Sequence, residues 1–161
     1  MRRRRLHRVA MWLVLLACSG PDTPPAPASD TGAPMPPPEW AIGTWRVSGY
    51  LLPGISALDA AGAAAFTGDS IVLARRTALL PAARCDEASY RELLRPTDTL
   101  LAEYRLLPGA LPLPGPKVTV LELLCEGQPM TALGATLQVT GTDSLLSPWD
   151  GAFFVLTRDR R

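Results

Sequence analysis

From Trp40 onward, apolar and polar residues alternate in short runs punctuated by glycine, proline and Asp-Gly. Thr44 to Tyr50 (TWRVSGY) places Trp45 and Val47 on one face and Arg46 and Ser48 on the other, the period-two pattern of a strand. Pro53-Gly54 breaks it. Ser70 to Arg75 (SIVLAR) predicts a second strand, and Thr77 to Leu80 and Ser89 to Leu94 predict weaker ones on either side of Cys85. Lys117 to Cys125 (KVTVLELLC) carries the clearest signal, being rich in β-branched residues. Ala135 to Thr140, Ser144 to Ser147 and Ala152 to Arg158 follow, the last two joined through Trp149-Asp150-Gly151, where Asp-Gly is the favoured hairpin pair. Two helices interrupt this pattern. Ser56 heads SALDAAGAAAF with Asp59 three residues on, a cap ahead of an Ala-rich turn. Thr97 heads DTLLAEYRLL, in which Leu100, Leu101, Tyr104 and Leu107 share a face, and Pro108 to Pro116 reads as loop. Roughly seven or eight short strands with short final turns predict a mainly β fold, a small antiparallel β-barrel or strongly curved sheet with two short helices.

The segment ahead of this domain has a different character. Arg2 to Arg8 is strongly basic, and Val9 to Ala17 (VAMWLVLLA) is apolar over nine residues. A membrane-spanning helix needs about 20 such residues. Nine match the apolar stretch of a signal peptide, which sets residues 1–17 apart as a leader. Leu15-Leu16-Ala17-Cys18-Ser19 resembles the lipobox of bacterial lipoproteins. That resemblance implies export, cleavage before Cys18, and lipid on the Cys18 thiol and amine. Two or more acyl chains hold a protein stably to a bilayer, at about 0.8 kcal/mol per buried methylene. If the host is Gram-negative, which the sequence leaves open, Ser19 in place of an aspartate at that position implies the outer membrane, with the domain facing the periplasm. Residues 18–39 then form a tether. Ser19 to Glu39 holds eight prolines and, apart from Met35, no aliphatic residue larger than alanine. Such a stretch lacks the apolar surface to fold and spaces the domain from its anchor.

Cleavage also changes the charge. Five arginines precede Cys18, leaving 11 basic against 15 acidic residues, so the net +1 of the whole chain becomes about −4. An acidic surface repels phosphate backbones, so nucleic acid is not an expected partner. The single histidine, His7, lies in the leader. The mature chain therefore lacks the commonest general base and metal ligand, and no metal or cofactor is expected.

Within the domain, residues 40–161, Gly43-Thr44-Trp45 opens the first strand and Arg158 closes the last. This is similar to the lipocalin signature, in which a G-x-W tryptophan packs beneath an arginine that follows the final strand. It implies a lipocalin-like barrel closed at one end by Gly43, Trp45 and Arg158, with a cation–π contact over the indole. The pairing of PGISALD (Pro53 to Asp59) with PWDG-FF-L-R (Pro148 to Arg158) also resembles small bacterial envelope domains of no established activity.

Once Cys18 is lipidated, Cys85 and Cys125 are an even pair in an oxidising compartment. The expectation is a structural disulfide. A redox or metal pair is the alternative, but neither C-x-x-C nor a histidine supports it. Glu122 interrupts an apolar strand on the face of Val118, Val120 and Leu124, opposite Leu121, Leu123 and Cys125. If Cys125 faces the core, Glu122 faces water; if Glu122 faces in, it is a buried acid that marks a pocket, and alternation allows only one of the two. The outward reading is preferred, because an unpaired buried carboxylate is costly. Asp150 reads as a turn residue, and no nucleophile–base pair or phosphate loop is present. The expected function is non-enzymatic: binding of a small apolar or amphipathic ligand in a cavity lined by Trp45, Tyr50, Tyr104, Glu122, Phe153 and Phe154. The second expectation is an envelope protein–protein or inhibitor module with a filled barrel and no ligand.

Overall fold

A computed structural model describes residues 33–160; the leader, Cys18 and most of the tether lie outside the described residues. The chain forms β1 (Gly43–Leu51), α1 (Ala60–Ala64), β2 (Ser70–Leu73), β3 (Ala78–Leu80), β4 (Ala83–Cys85) and β5 (Ala88–Pro96). It continues through α2 (Thr97–Glu103), β6 (Lys117–Cys125), β7 (Gln128–Pro129), β8 (Thr136–Gly141), β9 (Ser144–Trp149) and β10 (Ala152–Arg158). All ten strands belong to one antiparallel sheet ordered β4-β3-β2-β1-β10-β9-β8-β6-β5, with β7 on the edge of β6.

This order is an up-and-down meander in which the first strand pairs the last. Trp45 lies opposite Arg158, and Tyr50 opposite Phe154. The two ends of the order, β4 and β5, are consecutive in the chain, separated only by Asp86 and Glu87. They act as one bent strand that pairs with β3 in its first part and with β6 in its second. The sheet thus curls into a small lipocalin-like barrel. Three contacts fasten the bend. Cys85 and Cys125 form a disulfide with their Cα atoms 5.6 Å apart. The Ala88 N–H donates to Arg76 O at 2.8 Å, and the Tyr90 hydroxyl to Ala74 O at 3.1 Å. On the open side of β5, Met35 exchanges both backbone hydrogen bonds with Tyr90 at 2.8 Å, and Pro37 is buried. Part of the Pro-rich stretch ahead of Trp40 therefore packs on the barrel.

The sheet buries both faces, and each buries a different cluster. Trp45, Val47, Ile71, Leu73, Tyr90, Leu121, Leu123, Leu137, Leu145, Phe154 and Leu156 fill the interior. Outside, α2 packs against β6, β9 and β10. Its Leu101 packs with Leu111, Leu146 and Phe153, and its Leu100 with Val118 and Val120. This covering resolves the alternatives for Glu122. Cys125 and the leucines on its face do point to the core, yet the Glu122 face is not simply wet. Val118, Val120 and Leu124 on that face are buried, and Glu122 is half-buried in an ion pair with Arg91 at 2.8 Å.

Several local expectations change for identifiable reasons. The cap of α1 is Asp59, which accepts from Gly62 N at 2.7 Å, and not Ser56. The Ser56 hydroxyl instead accepts from Leu58 N and donates to Asp150 O. Thr97 is the first residue of α2 rather than its cap, and its hydroxyl donates to Gly115 O at 2.5 Å across the returning loop. The helix stops at Glu103, since Arg105 adopts a left-handed φ of 56°, and this leaves Leu107 80 % exposed rather than on the apolar face. The short strands β4 and β7 have no alternating run long enough to announce them.

Candidate functional site

One end of the barrel is closed by the residues of the signature. The Arg158 guanidinium sits 4.2 Å from the centre of the Trp45 ring. Its nitrogens donate to Ile42 O at 3.0 Å, to Trp40 O and to Asp143 Oδ1 at 3.1 Å. The Trp45 indole donates to Ala41 O at 2.9 Å, so the chain entering β1 is stitched to the ring that it covers. Gly43 has a φ of 133°, and a Cβ there would stand 3.1 Å from Arg158 Nη1. Glycine is what lets the guanidinium lie across the start of β1. The other end is closed by the α1 segment, where Leu58 and Phe66 pack on the core and Phe66 meets Phe154 edge-to-face at 5.3 Å.

At that second end the two sequence blocks PGISALD and PWDG come into contact. Ala57 N and Ser56 Oγ both donate to Asp150 O, at 2.8 and 3.0 Å. Asp150 and Gly151 form the hairpin turn with φ of 50° and 82°. A Cβ on Gly151 would fall 2.5 Å from Ile55 O and 2.6 Å from Ser56 Cα. The blocks therefore occur together because one docks on the backbone of the other. The docked loop holds Ile55 out with 94 % of its surface exposed.

The six candidate cavity residues do not line one space. Trp45 and Phe154 are fully buried in the interior, and Tyr50 packs on that same cluster from its rim. Tyr104, Phe153 and Glu122 lie on the outer face beneath or beside α2. There Tyr104 meets Phe153 edge-to-face at 4.9 Å. Burial, and next the negative charge of Glu103, push the Tyr104 phenol above its ordinary value. Inside, burial pushes the Tyr90 phenol up to about 12, so it stays neutral at physiological pH.

Open space lies outside the barrel. A groove of about 500 Å³ runs between the start of α2 and the returning loop, past Pro96, Leu101, Pro108 and Pro116. A second, of about 310 Å³, is lined by Tyr104, Thr136, Pro148, Trp149 and Phe153. Beside it stands Gln138, which sequence reasoning passed over. In β8 it lies between Val120 of β6 and Leu146 of β9 and is fully buried, with its carboxamide facing the Tyr104 hydroxyl. A polar residue between Leu137 and Val139 reads as solvent-facing, and nothing local in the sequence reveals that α2 covers it.

Other side-chain chemistry in the described residues is largely drawn into ion pairs: Glu122 with Arg91, Glu103 with Arg95, Asp159 with Arg46, and Asp143 with Arg158 and Arg160. Among the described residues, no group of three or more His, Cys, Asp or Glu could hold a metal ion. These features define a small lipocalin-like barrel with a packed interior and a helix strapped to its outer face. No family model, curated protein or solved structure matches the chain.

Proposed function

We propose that this chain is a lipid-anchored, non-enzymatic module of the cell envelope whose filled barrel is a scaffold. In this reading it binds an envelope protein on its outer surface. The observation that carries the reading is the packed interior: Trp45, Tyr90, Phe154, Leu121, Leu145 and Leu156 are each at most 1 % exposed inside the sheet. A small apolar ligand in the position a lipocalin uses would have to displace these side chains, and both ends of the barrel are closed over them. Small barrels are either filled or hollow. The filled case favours partner binding over ligand carriage. The open surfaces on the α2 side fit the same reading, with two grooves beside prolines that lower the entropy lost on docking.

Anchoring belongs to the proposal as well. It rests on the basic leader, the short apolar stretch and Cys18 within Leu15-Leu16-Ala17-Cys18-Ser19, with Ser19 favouring the outer membrane. In cell fractionation, the wild type is expected in the membrane pellet and Cys18→Ser in the soluble periplasmic fraction. In the same membranes, a photo-crosslinking residue at the exposed Leu107, next to α2, is expected to give one discrete protein adduct. The same residue at Leu79 on β3 is expected to give none. Equal membrane partition of Cys18→Ser would remove the anchor. The absence of an adduct at Leu107 would count against protein binding on this face.

A further inference from the structure

We propose that the open edge of β5 is a docking site for the protein's own tether, on which residues 30–33 pair as an added strand. This goes beyond the reading of the domain as a protein-binding scaffold and does not depend on it.

β5 pairs with β6 along one side from Ala88 to Pro96. Along the other side only Tyr90 pairs with a neighbouring chain segment, through its two backbone bonds to Met35 at 2.8 Å. Backbone groups alternate in direction along an antiparallel strand, so the N–H and C=O of Glu92 and Leu94 point the same way as those of Tyr90. No described residue bonds to them there. Beside them lies a groove of about 510 Å³ lined by Met35, Glu92, Leu93, Leu94 and Thr119, in which Leu94 is 58 % exposed. An uncovered edge of this kind invites pairing with another strand.

The point at which the chain leaves the structure indicates the occupant. The described pairing stops at Met35, and Ala33 and Pro34 are exposed, so residues 30–32 begin within a few positions of the open edge. The antiparallel Met35–Tyr90 pair fixes the register in which they would dock: Ala33 opposite Glu92, Gly32 opposite Leu93, Thr31 opposite Leu94 and Asp30 opposite Arg95. In that register odd-numbered tether residues turn their N–H to β5 and even-numbered ones turn it away. Ala33 and Thr31 each carry an N–H, while Pro34 and Pro36 fall where none is needed. The pairing cannot run the other way, because Pro37 has no N–H and the Ala88 N–H already donates to Arg76 O. The side chains agree with this register. Thr31 is β-branched and falls against the exposed Leu94. Asp30, the one charged residue between Pro24 and Pro38, comes opposite Arg95, and opposite charges across a strand pair attract. A segment already held at Met35 meets the edge at a high effective concentration, ahead of a strand from another molecule. Docking closes the edge to other chains and shortens the free spacer to residues 18–29, roughly 37 Å when extended.

The test uses the exported Cys18→Ser chain, soluble and carrying its whole tether, labelled with ¹⁵N, and reads amide hydrogen exchange at Glu92 and Leu94. Two double variants add the same number of prolines. Thr31→Pro/Ala33→Pro removes both N–H groups that face β5, and Ala28→Pro/Gly32→Pro adds proline only where the N–H faces away. Slow exchange is expected in the Cys18→Ser chain and in Ala28→Pro/Gly32→Pro, and exchange at least tenfold faster in Thr31→Pro/Ala33→Pro. The amide of Leu145, fully buried in the core, is expected to exchange alike in all three and so reports an intact fold. Equal exchange at Glu92 and Leu94 in the two variants, fast or slow, would overturn the proposal. Protection that rises with protein concentration would also overturn it, by placing a second copy on the edge.

Discussion

Reduction of the Cys85–Cys125 disulfide is expected to lower stability by about 4 kcal/mol and Tm by on the order of 10 °C. The bond spans 40 residues, so opening it frees a long loop in the unfolded chain. It also sits where the sheet changes partners: β4 belongs to β3 and β5 to β6, and the bond ties the end of one to the far end of β6. Without it, the bend at Asp86 and Glu87 is held mainly by backbone bonds such as Ala88 to Arg76 and Glu126 to Glu87. The damage should therefore begin at β3, β4 and the start of β5, with hydrogen exchange rising there first. Thermal melts with and without reductant measure the effect, and a Cys85→Ala/Cys125→Ala double variant should melt at the reduced temperature in both. Equal melting of the oxidised and reduced wild type would contradict this account.

Trp45→Ala is expected to cost about 3–5 kcal/mol. Trp45 is fully buried, fills the closed end of the barrel and donates to Ala41. Its removal leaves a cavity and strips the Arg158 guanidinium of the ring that it covers. The guanidinium would keep its bonds to Ile42, Trp40 and Asp143, so the loss falls on packing more than on hydrogen bonding. Chemical denaturation reads the effect as a lower midpoint with a similar slope. A change below 1 kcal/mol would mean that Trp45 is not an end-plug of the core.

The elements that the sequence made legible are those in which one strand explains itself. Lys117–Cys125 and Ala152–Arg158 match their expected bounds, because each is a β-branched or aromatic run between strong breakers. The Asp150-Gly151 turn also follows from local chemistry, since only residues that tolerate positive φ fit there. The Cys85–Cys125 bridge was legible in the even pair of cysteines within residues 40–161. What was not legible depends on partners distant in sequence. Alternation along β6 allowed one wet face and one dry face, whereas α2 dries both and leaves Glu122 in an ion pair between them. The same outer cluster holds Gln138 and Tyr104 away from Trp45, whereas Phe153 and Phe154 are consecutive in β10 and alternation alone puts them on opposite faces. Ser56 and Thr97 read as caps because their spacing was right, but each hydroxyl is taken by the neighbouring segment. The Gly151 requirement is likewise invisible locally: the turn explains its φ, and only the docked Ile55–Ser56 backbone explains why no side chain fits.

The central claim is that the barrel is a filled scaffold, and native mass spectrometry of the soluble Cys18→Ser chain, exported and purified without detergent, tests it most directly. The account predicts the mass of the bare, oxidised polypeptide, unchanged after incubation with a mixture of fatty acids and phospholipids. A stoichiometric adduct of lipid mass that survives gentle ionisation, and that is lost in a Phe154→Trp variant which overfills the interior, would contradict it.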